Sequence, residues 1–140
     1  MATKLRIGFI GAGGISAGHY QRLLATNKAV VVALNDPSKK SIERFHARCP
    51  GSDALPVYRD YRAMLKAETL DGVVVQSPHT VHYEQTCACL DKGIHVLSEK
   101  PMTCTIEDAK ALIAKAKKAK RVLMISYQRH FDPQFRYMRE

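Results

Sequence analysis

Three glycines fall within Gly11-Ala12-Gly13-Gly14-Ile15-Ser16, directly behind the apolar run Leu5-Arg6-Ile7-Gly8-Phe9-Ile10. A glycine can take a backbone shape closed to larger residues, and without a Cβ it lets main-chain N–H groups approach a ligand closely. If a helix opens beyond this turn, its unpaired N-terminal N–H groups and the positive end of its dipole favour an anion there. Gly11 and Gly13 fill the first two glycine positions of the G-x-G-x-x-G pyrophosphate turn, and Ser16 replaces the third while staying small enough for helix–strand contact. Gly11, Gly13, Gly14 and Ile15 are therefore the candidate contacts to a diphosphate. The same glycines would also suit a turn that merely lets two elements pack.

A second strand-like run, Val30-Val31-Val32-Ala33-Leu34-Asn35, ends in Asp36. In a dinucleotide fold an acid roughly 20 residues beyond the glycines receives the adenosine ribose hydroxyls, which makes Asp36 the candidate. Its other reading is a turn or cap residue before Pro37. Ser38, Lys39 and Lys40 follow at once and could hold a 2′-phosphate. The pair of features points to a dinucleotide, with NAD(H) favoured and NADP(H) allowed.

These residues need a scaffold. Apolar runs at Leu5–Ile10, Val30–Leu34, Gly72–Gln76, Ile94–Leu97 and Val122–Tyr127 alternate with helix-like stretches, with a shorter strand around Pro56–Tyr58. Near-continuous Val, Ile and Leu in strands means both faces are covered, so the expected fold is α/β: a three-layered, doubly wound parallel sheet of Rossmann type, order 3-2-1-4-5-6. Thr105 to Asp108 has capping-box spacing, and Gly93 closes the helix ending near Asp91-Lys92. Ile106, Ala109, Leu112, Ile113, Ala116 and Ala119 recur at helical spacing, which leaves Lys115, Lys117, Lys118, Lys120 and Arg121 as a solvated basic end.

The chain has 140 residues, 46% apolar, with a formal charge of +9. That is one domain in size, and the basic excess reads as a solvated helix face and a need for an acidic neighbour rather than as nucleic-acid binding. No apolar run approaches the roughly 20 residues that span a bilayer, and a cytoplasmic location is expected. Cys49, Cys87, Cys89 and Cys104 lack C-x-x-C spacing and read as apolar fillers; the six histidines make no H-x-x-x-H set, so no metal is expected. His19 and His79 read as surface or packing residues, His95 as a structural histidine.

Ligands of such sheets bind outside the carboxyl ends of the strands, beside the reversal of strand order. The fourth strand ends in Gln76-Ser77-Pro78-His79-Thr80-Val81-His82 and the fifth in His95-Val96-Leu97-Ser98-Glu99-Lys100-Pro101. A lysine leaving a buried strand must find a carboxylate, water or ligand for its charge. An exposed Glu99–Lys100 salt bridge is the plainer reading.

With the glycine turn, Asp36, the Ser77-Pro78 to His82 segment, Glu99-Lys100-Pro101 and Tyr127-Gln128-Arg129-His130-Phe131-Asp132-Pro133, the chain is similar nearly end to end to the nucleotide-binding domain of the glucose–fructose oxidoreductase, inositol dehydrogenase and MocA-type family. Gln128 stands where the family often has Asn, and His130 where it often has Arg. The resemblance implies hydride exchange between C4 of a nicotinamide and a hydroxyl-bearing carbon of a sugar, polyol or related compound. Lys100 is then the catalytic residue, reaching both the nicotinamide ribose and the substrate hydroxyl, where an ammonium can polarise oxygen or move a proton. Glu99 would orient and charge-balance it; Ser77, Pro78 and His82 would lie at the cofactor, and Pro101 would follow a cis bond. A non-catalytic dinucleotide-binding or sensing module is the alternative; S-adenosylmethionine binding fits less well, leaving Glu99-Lys100-Pro101 unexplained.

Family members carry a second, antiparallel-sheet domain that shapes the substrate pocket, supplies a histidine-containing acid–base site and often mediates oligomerisation. It is expected to be absent from this chain, with 1–127 forming the dinucleotide domain and 128–140 the start of a bridging segment. Phe131, Phe135 and Met138, spaced i, i+4, i+7, read as the first turns of a bridging helix. Cofactor binding without efficient turnover is the expectation for these residues alone.

Overall fold

The computed structural model describes residues 3–139. Six strands, β1 (Leu5–Ile10), β2 (Ala29–Asn35), β3 (Val57–Tyr58), β4 (Gly72–Val75), β5 (His95–Ser98) and β6 (Leu123–Ile125), form one parallel sheet in the order β3-β2-β1-β4-β5-β6. The helices are α1 (Ser16–Ala25), α2 (Lys39–Arg48), α3 (Tyr61–Ala67), α4 (His82–Asp91), α5 (Ile106–Ala119) and α6 (Pro133–Tyr137). The chain thus winds outward from β1 through β2 to β3, returns through α3, and winds the other way from β4 to β6. The carboxyl ends of β1 and β4 lie side by side where the direction reverses, the place where a doubly wound sheet opens a crevice.

Alternation along the strands sorts the core into two layers. Phe9, Val31, Leu34 and Val74 pack with Ala17 and Tyr20 of α1 and Phe45 of α2. Ile10, Val73, Val75 and Val96 pack with Met64 and Leu65 of α3, Cys89 and Leu90 of α4, and Leu112 and Ala116 of α5. Edge-to-face packing of Phe9, Tyr20 and Phe45, with ring centroids 5.5 to 6.5 Å apart, fixes α1 and α2 on the sheet.

Local signals account for the element ends. Ser38 caps α2 through Ser41 N–H, Asp60 caps α3 through Arg62 N–H, and Thr105 caps α5 through Asp108 N–H. Gly93, at φ 70°, ends α4 in the left-handed conformation. Two expectations fail in detail. The apolar stripe of α5 is narrower than its spacing implies, because Ile106 and Ile113 are exposed and only Leu112 and Ala116 are fully buried. The closing stripe is not one helix: Phe131 lies in a 3-10 turn (Gln128–Phe131), Asp132 is extended, and α6 starts at Pro133. The residue before a proline is pushed out of helical geometry, and Asp132 then serves as the cap of α6 through Gln134 N–H. Phe131, Phe135 and Met138 are not folded onto the sheet, being 69%, 39% and 68% exposed. Among the described residues no helix is long and apolar enough to cross a membrane.

Candidate cofactor site

Gly11 leaves β1 at φ +99°, and a Cβ there would come within 2.8 Å of the Gln76 carbonyl group and the Ser77 nitrogen, so backbone meets backbone at the β1/β4 junction. At Gly13 an added Cβ would meet nothing closer than the Gln76 carbonyl oxygen at 3.9 Å, and at Gly14 nothing within 4 Å. Packing within the chain therefore does not explain why these two positions lack side chains, and the space above them is open to a ligand. Ser16 is wholly buried and its hydroxyl donates to the Gly13 carbonyl at 2.5 Å, so the serine in place of the third glycine closes the turn.

The amide accounting is equally specific. Gly11 N–H donates to the Asn35 carbonyl, Ala12 N–H to Asp36 Oδ2 at 2.8 Å and Ser16 N–H to the Gly13 carbonyl. The N–H groups of Gly13, Gly14 and Ile15 have no partner among the described residues. Three free donors at the start of a ten-residue helix make a seat for a diphosphate. A small cavity of about 210 Å³ borders it, lined by the glycine turn and by Arg44 and Arg48 of α2, and Arg48 donates to the Gly14 carbonyl at 3.2 Å. These arginines are an unforeseen part of the site, although their i, i+4 spacing on α2 was a readable sign that they share a face.

Asp36 is half-buried at the end of β2, and besides Ala12 it accepts Ser38 N–H at 2.8 Å through Oδ1. It fills the turn role and still faces the glycine turn, and each carboxylate oxygen keeps a lone pair for a ribose hydroxyl. Ser38 Oγ is occupied as a helix cap and Lys39 pairs with Glu43 at 3.7 Å, which leaves Lys40 as the one cation of that trio without an ion-pair partner among the described residues.

Beyond β5 the peptide bond between Lys100 and Pro101 is cis. Lys100 is exposed, pairs with no carboxylate among the described residues, and borders a groove of about 570 Å³ lined also by Ser126, Tyr127, Gln128, Arg129, His130 and Phe135. The expected Glu99–Lys100 ion pair is absent. Glu99 instead turns under the sheet end, 9% exposed, where its Oε1 lies 2.7 Å from Nε2 of His19, itself buried in α1. Burial alone would raise the Glu99 carboxyl; hydrogen bonds from His19 and Ser126, with the Lys100 backbone N–H, outweigh it and hold the group below the usual carboxylate range. His19 is thus buried rather than on the surface, and beyond packing it is hydrogen-bonded to Glu99 at the end of β5. A lone histidine four residues into a helix carried no sign of a partner 80 positions away.

Ser77 and Pro78 sit at the β4 end, where Ser77 Oγ donates to Gln85 Oε1 at 2.5 Å and Pro78 is exposed. His82 is fully buried, with Nδ1 2.8 Å from the Pro101 carbonyl and Nε2 2.9 Å from the Ser77 carbonyl. Its ring has no face open to a ligand; it ties the β4 turn to the Lys100–Pro101 turn. His95 is exposed and accepts Val122 N–H at 3.0 Å. All four cysteines are free, and Cys104 is exposed rather than a core filler.

Comparisons with known proteins agree with this geometry. Residues 5–127 match the sequence model of the glucose–fructose oxidoreductase, inositol dehydrogenase and MocA family, described as an oxidoreductase family with an NAD-binding Rossmann fold. Inositol 2-dehydrogenase of Rhodococcus erythropolis is 36% identical over 135 residues, which is 94% of this chain and 38% of that protein. A solved 3-ketoreductase of Actinomadura kijaniata, in complex with TDP-benzene and NADP, superposes with a TM-score of 0.84 at 30% identity, over 97% of this chain and 42% of that one. An NAD-binding protein of Listeria innocua gives a TM-score of 0.83 at 29% identity, over 94% of this chain and 38% of its own. The chain therefore spans about two fifths of the length of these relatives, and it belongs to the oxidoreductase family with the NAD-binding Rossmann fold.

Proposed function

We propose that this chain is the dinucleotide-binding part of an NAD(P)-dependent oxidoreductase acting on a hydroxyl-bearing carbon of a sugar, polyol or related compound. The observation that carries the reading is the set of free N–H groups on Gly13, Gly14 and Ile15, beside glycines whose missing side chains the packing does not require. Bound nicotinamide would supply the hydride acceptor for the alcohol carbon, or the donor in the reverse direction. The glycine turn holds the diphosphate, and Asp36 takes the adenosine ribose. NAD is favoured over NADP, since Ser38 and Lys39 are already engaged and the Asp36 carboxylate would repel a 2′-phosphate.

Lys100 carries the chemistry of the chain itself. Exposed at the groove and with no carboxylate partner among the described residues, it takes the hydroxyl proton as a neutral amine when the carbon is oxidised and returns it as an ammonium when the carbonyl is reduced. His82, through the Pro101 carbonyl, fixes the turn from which Lys100 projects. Residues of segment 128–139 line the groove beside Lys100, and a polyol substrate is favoured by the inositol dehydrogenase relatives. In the full-length protein, Lys100→Ala keeps the Kd for NAD within a few-fold and lowers kcat by about 10²- to 10⁴-fold. Unimpaired turnover in that variant would remove Lys100 from the reaction.

A further inference from the structure

Gln76 is 6% exposed, and neither its amide nitrogen nor its amide oxygen has a hydrogen-bond partner among the described residues. Buried polar groups in folded proteins are nearly always paired, so this amide needs a partner that the described residues do not provide. Strand register fixes its position. Ile10 pairs with Val75 and Gln76 N–H donates to the Ile10 carbonyl; Val75 pairs with Ser98 and Glu99 N–H donates to the Val75 carbonyl. Gln76 thus stands one residue past both pairs, with Gly11 on one side and Glu99 on the other. Because Val73 and Val75 belong to the α3–α5 layer and Val74 to the α1–α2 layer, alternation puts Gln76 on the α1 side, the side on which Glu99 meets His19.

A ligand that rests its diphosphate on the glycine turn and brings its reacting ring to Lys100 has to pass over this residue. We propose that Gln76 recognises the nicotinamide end of the cofactor, its amide donating to the carbonyl and accepting from the NH2 of the ring carboxamide. The proposal rests on the functional reading above and adds to it a residue that reads which ring is present. A free donor and a free acceptor on one planar group are matched together by a second primary amide, whereas a phosphate can only accept. Adenine also presents a donor–acceptor edge, but the adenosine anchor Asp36 ends β2, on the far side of β1 from Gln76. Turning toward the crevice breaks no side-chain hydrogen bond, since the amide makes none.

The test compares dissociation constants of the full-length protein for NAD+ and for its 3-acetylpyridine analogue, in which an acetyl group keeps the carbonyl and loses the NH2. The native protein is expected to prefer NAD+ by about tenfold, the value of one good hydrogen bond. In Gln76→Leu that preference falls to near unity, while an analogue altered only at adenine loses affinity equally in both proteins. Without nucleotide, the melting temperature of Gln76→Leu is at or above native, because an unpartnered polar group has been replaced by an apolar one of similar size. An equal preference in both proteins, no preference in the native protein, or a less stable Gln76→Leu without nucleotide, as a hidden buried water would cause, overturns the assignment. Failure of every dinucleotide to bind the native protein would overturn the functional reading itself, and the assignment with it.

Discussion

The Glu99 carboxylate keeps its charge while almost removed from water, and its surroundings explain how. Burial opposes ionisation, but the His19 and Ser126 hydrogen bonds more than compensate, so the folded-state value lies below the ordinary one. A carboxylate depressed in this way adds stability at pH above its unfolded value of about 4.3, and that contribution is lost as pH falls through the lower folded value. Glu99→Gln should therefore flatten the acid limb of a urea-unfolding profile measured from pH 7 to pH 3; an unchanged limb would mean that the pair contributes nothing to acid stability. His19→Ala strands the carboxylate and should destabilise the protein by about 2–3 kcal/mol, as chemical denaturation at pH 7 would show. Glu99 was expected to balance Lys100 and instead meets His19, because adjacency along a chain says nothing about opposite sides of a strand end. Alternation sends Glu99 toward α1 while Lys100 projects into the groove.

At the scale of elements, Asp36 joins three pieces: it ends β2, holds Ala12 N–H in the glycine turn and holds Ser38 N–H at the start of α2. Its reading as a turn residue and its reading as a ribose ligand are both compatible with one carboxylate. Asp36→Ala should loosen the turn and remove the negative charge that a 2′-phosphate would meet. The ratio of NADP to NAD dissociation constants should fall by about tenfold or more, in keeping with a charge interaction of order 1–2 kcal/mol near a protein surface. A ratio that does not move would take Asp36 out of cofactor choice. Element ends with a side-chain cap or a glycine, such as Thr105 and Gly93, were legible because their signals are local. The exposure of Ile106 and Ile113 was not, because helical spacing gives a face but not how much of it the neighbouring elements cover.

Taken whole, the described molecule is two apolar layers about a parallel sheet, and its candidate cofactor site lies where the winding reverses. That architecture was readable from strand-like runs that are apolar at nearly every position, since only a sheet covered on both faces buries them. The parts of the candidate site that escaped notice, His19 and Arg48, owe their places to register and packing between segments far apart in sequence, which no local pattern encodes. Phe135 lines the groove that Lys100 borders, and Phe131, Tyr137 and Met138 are exposed in the same closing segment. Everything turns on the diphosphate seat, and melting curves with and without NAD+ test it directly. At a hundredfold excess over Kd the native protein should gain about 2.7 kcal/mol. Gly13→Val, at a position where an added Cβ meets nothing of the chain closer than 3.9 Å, should melt close to native alone and gain nothing. A native protein unmoved by NAD+ and NADP+ alike, or a Gly13→Val variant stabilised as much as native, would contradict the account.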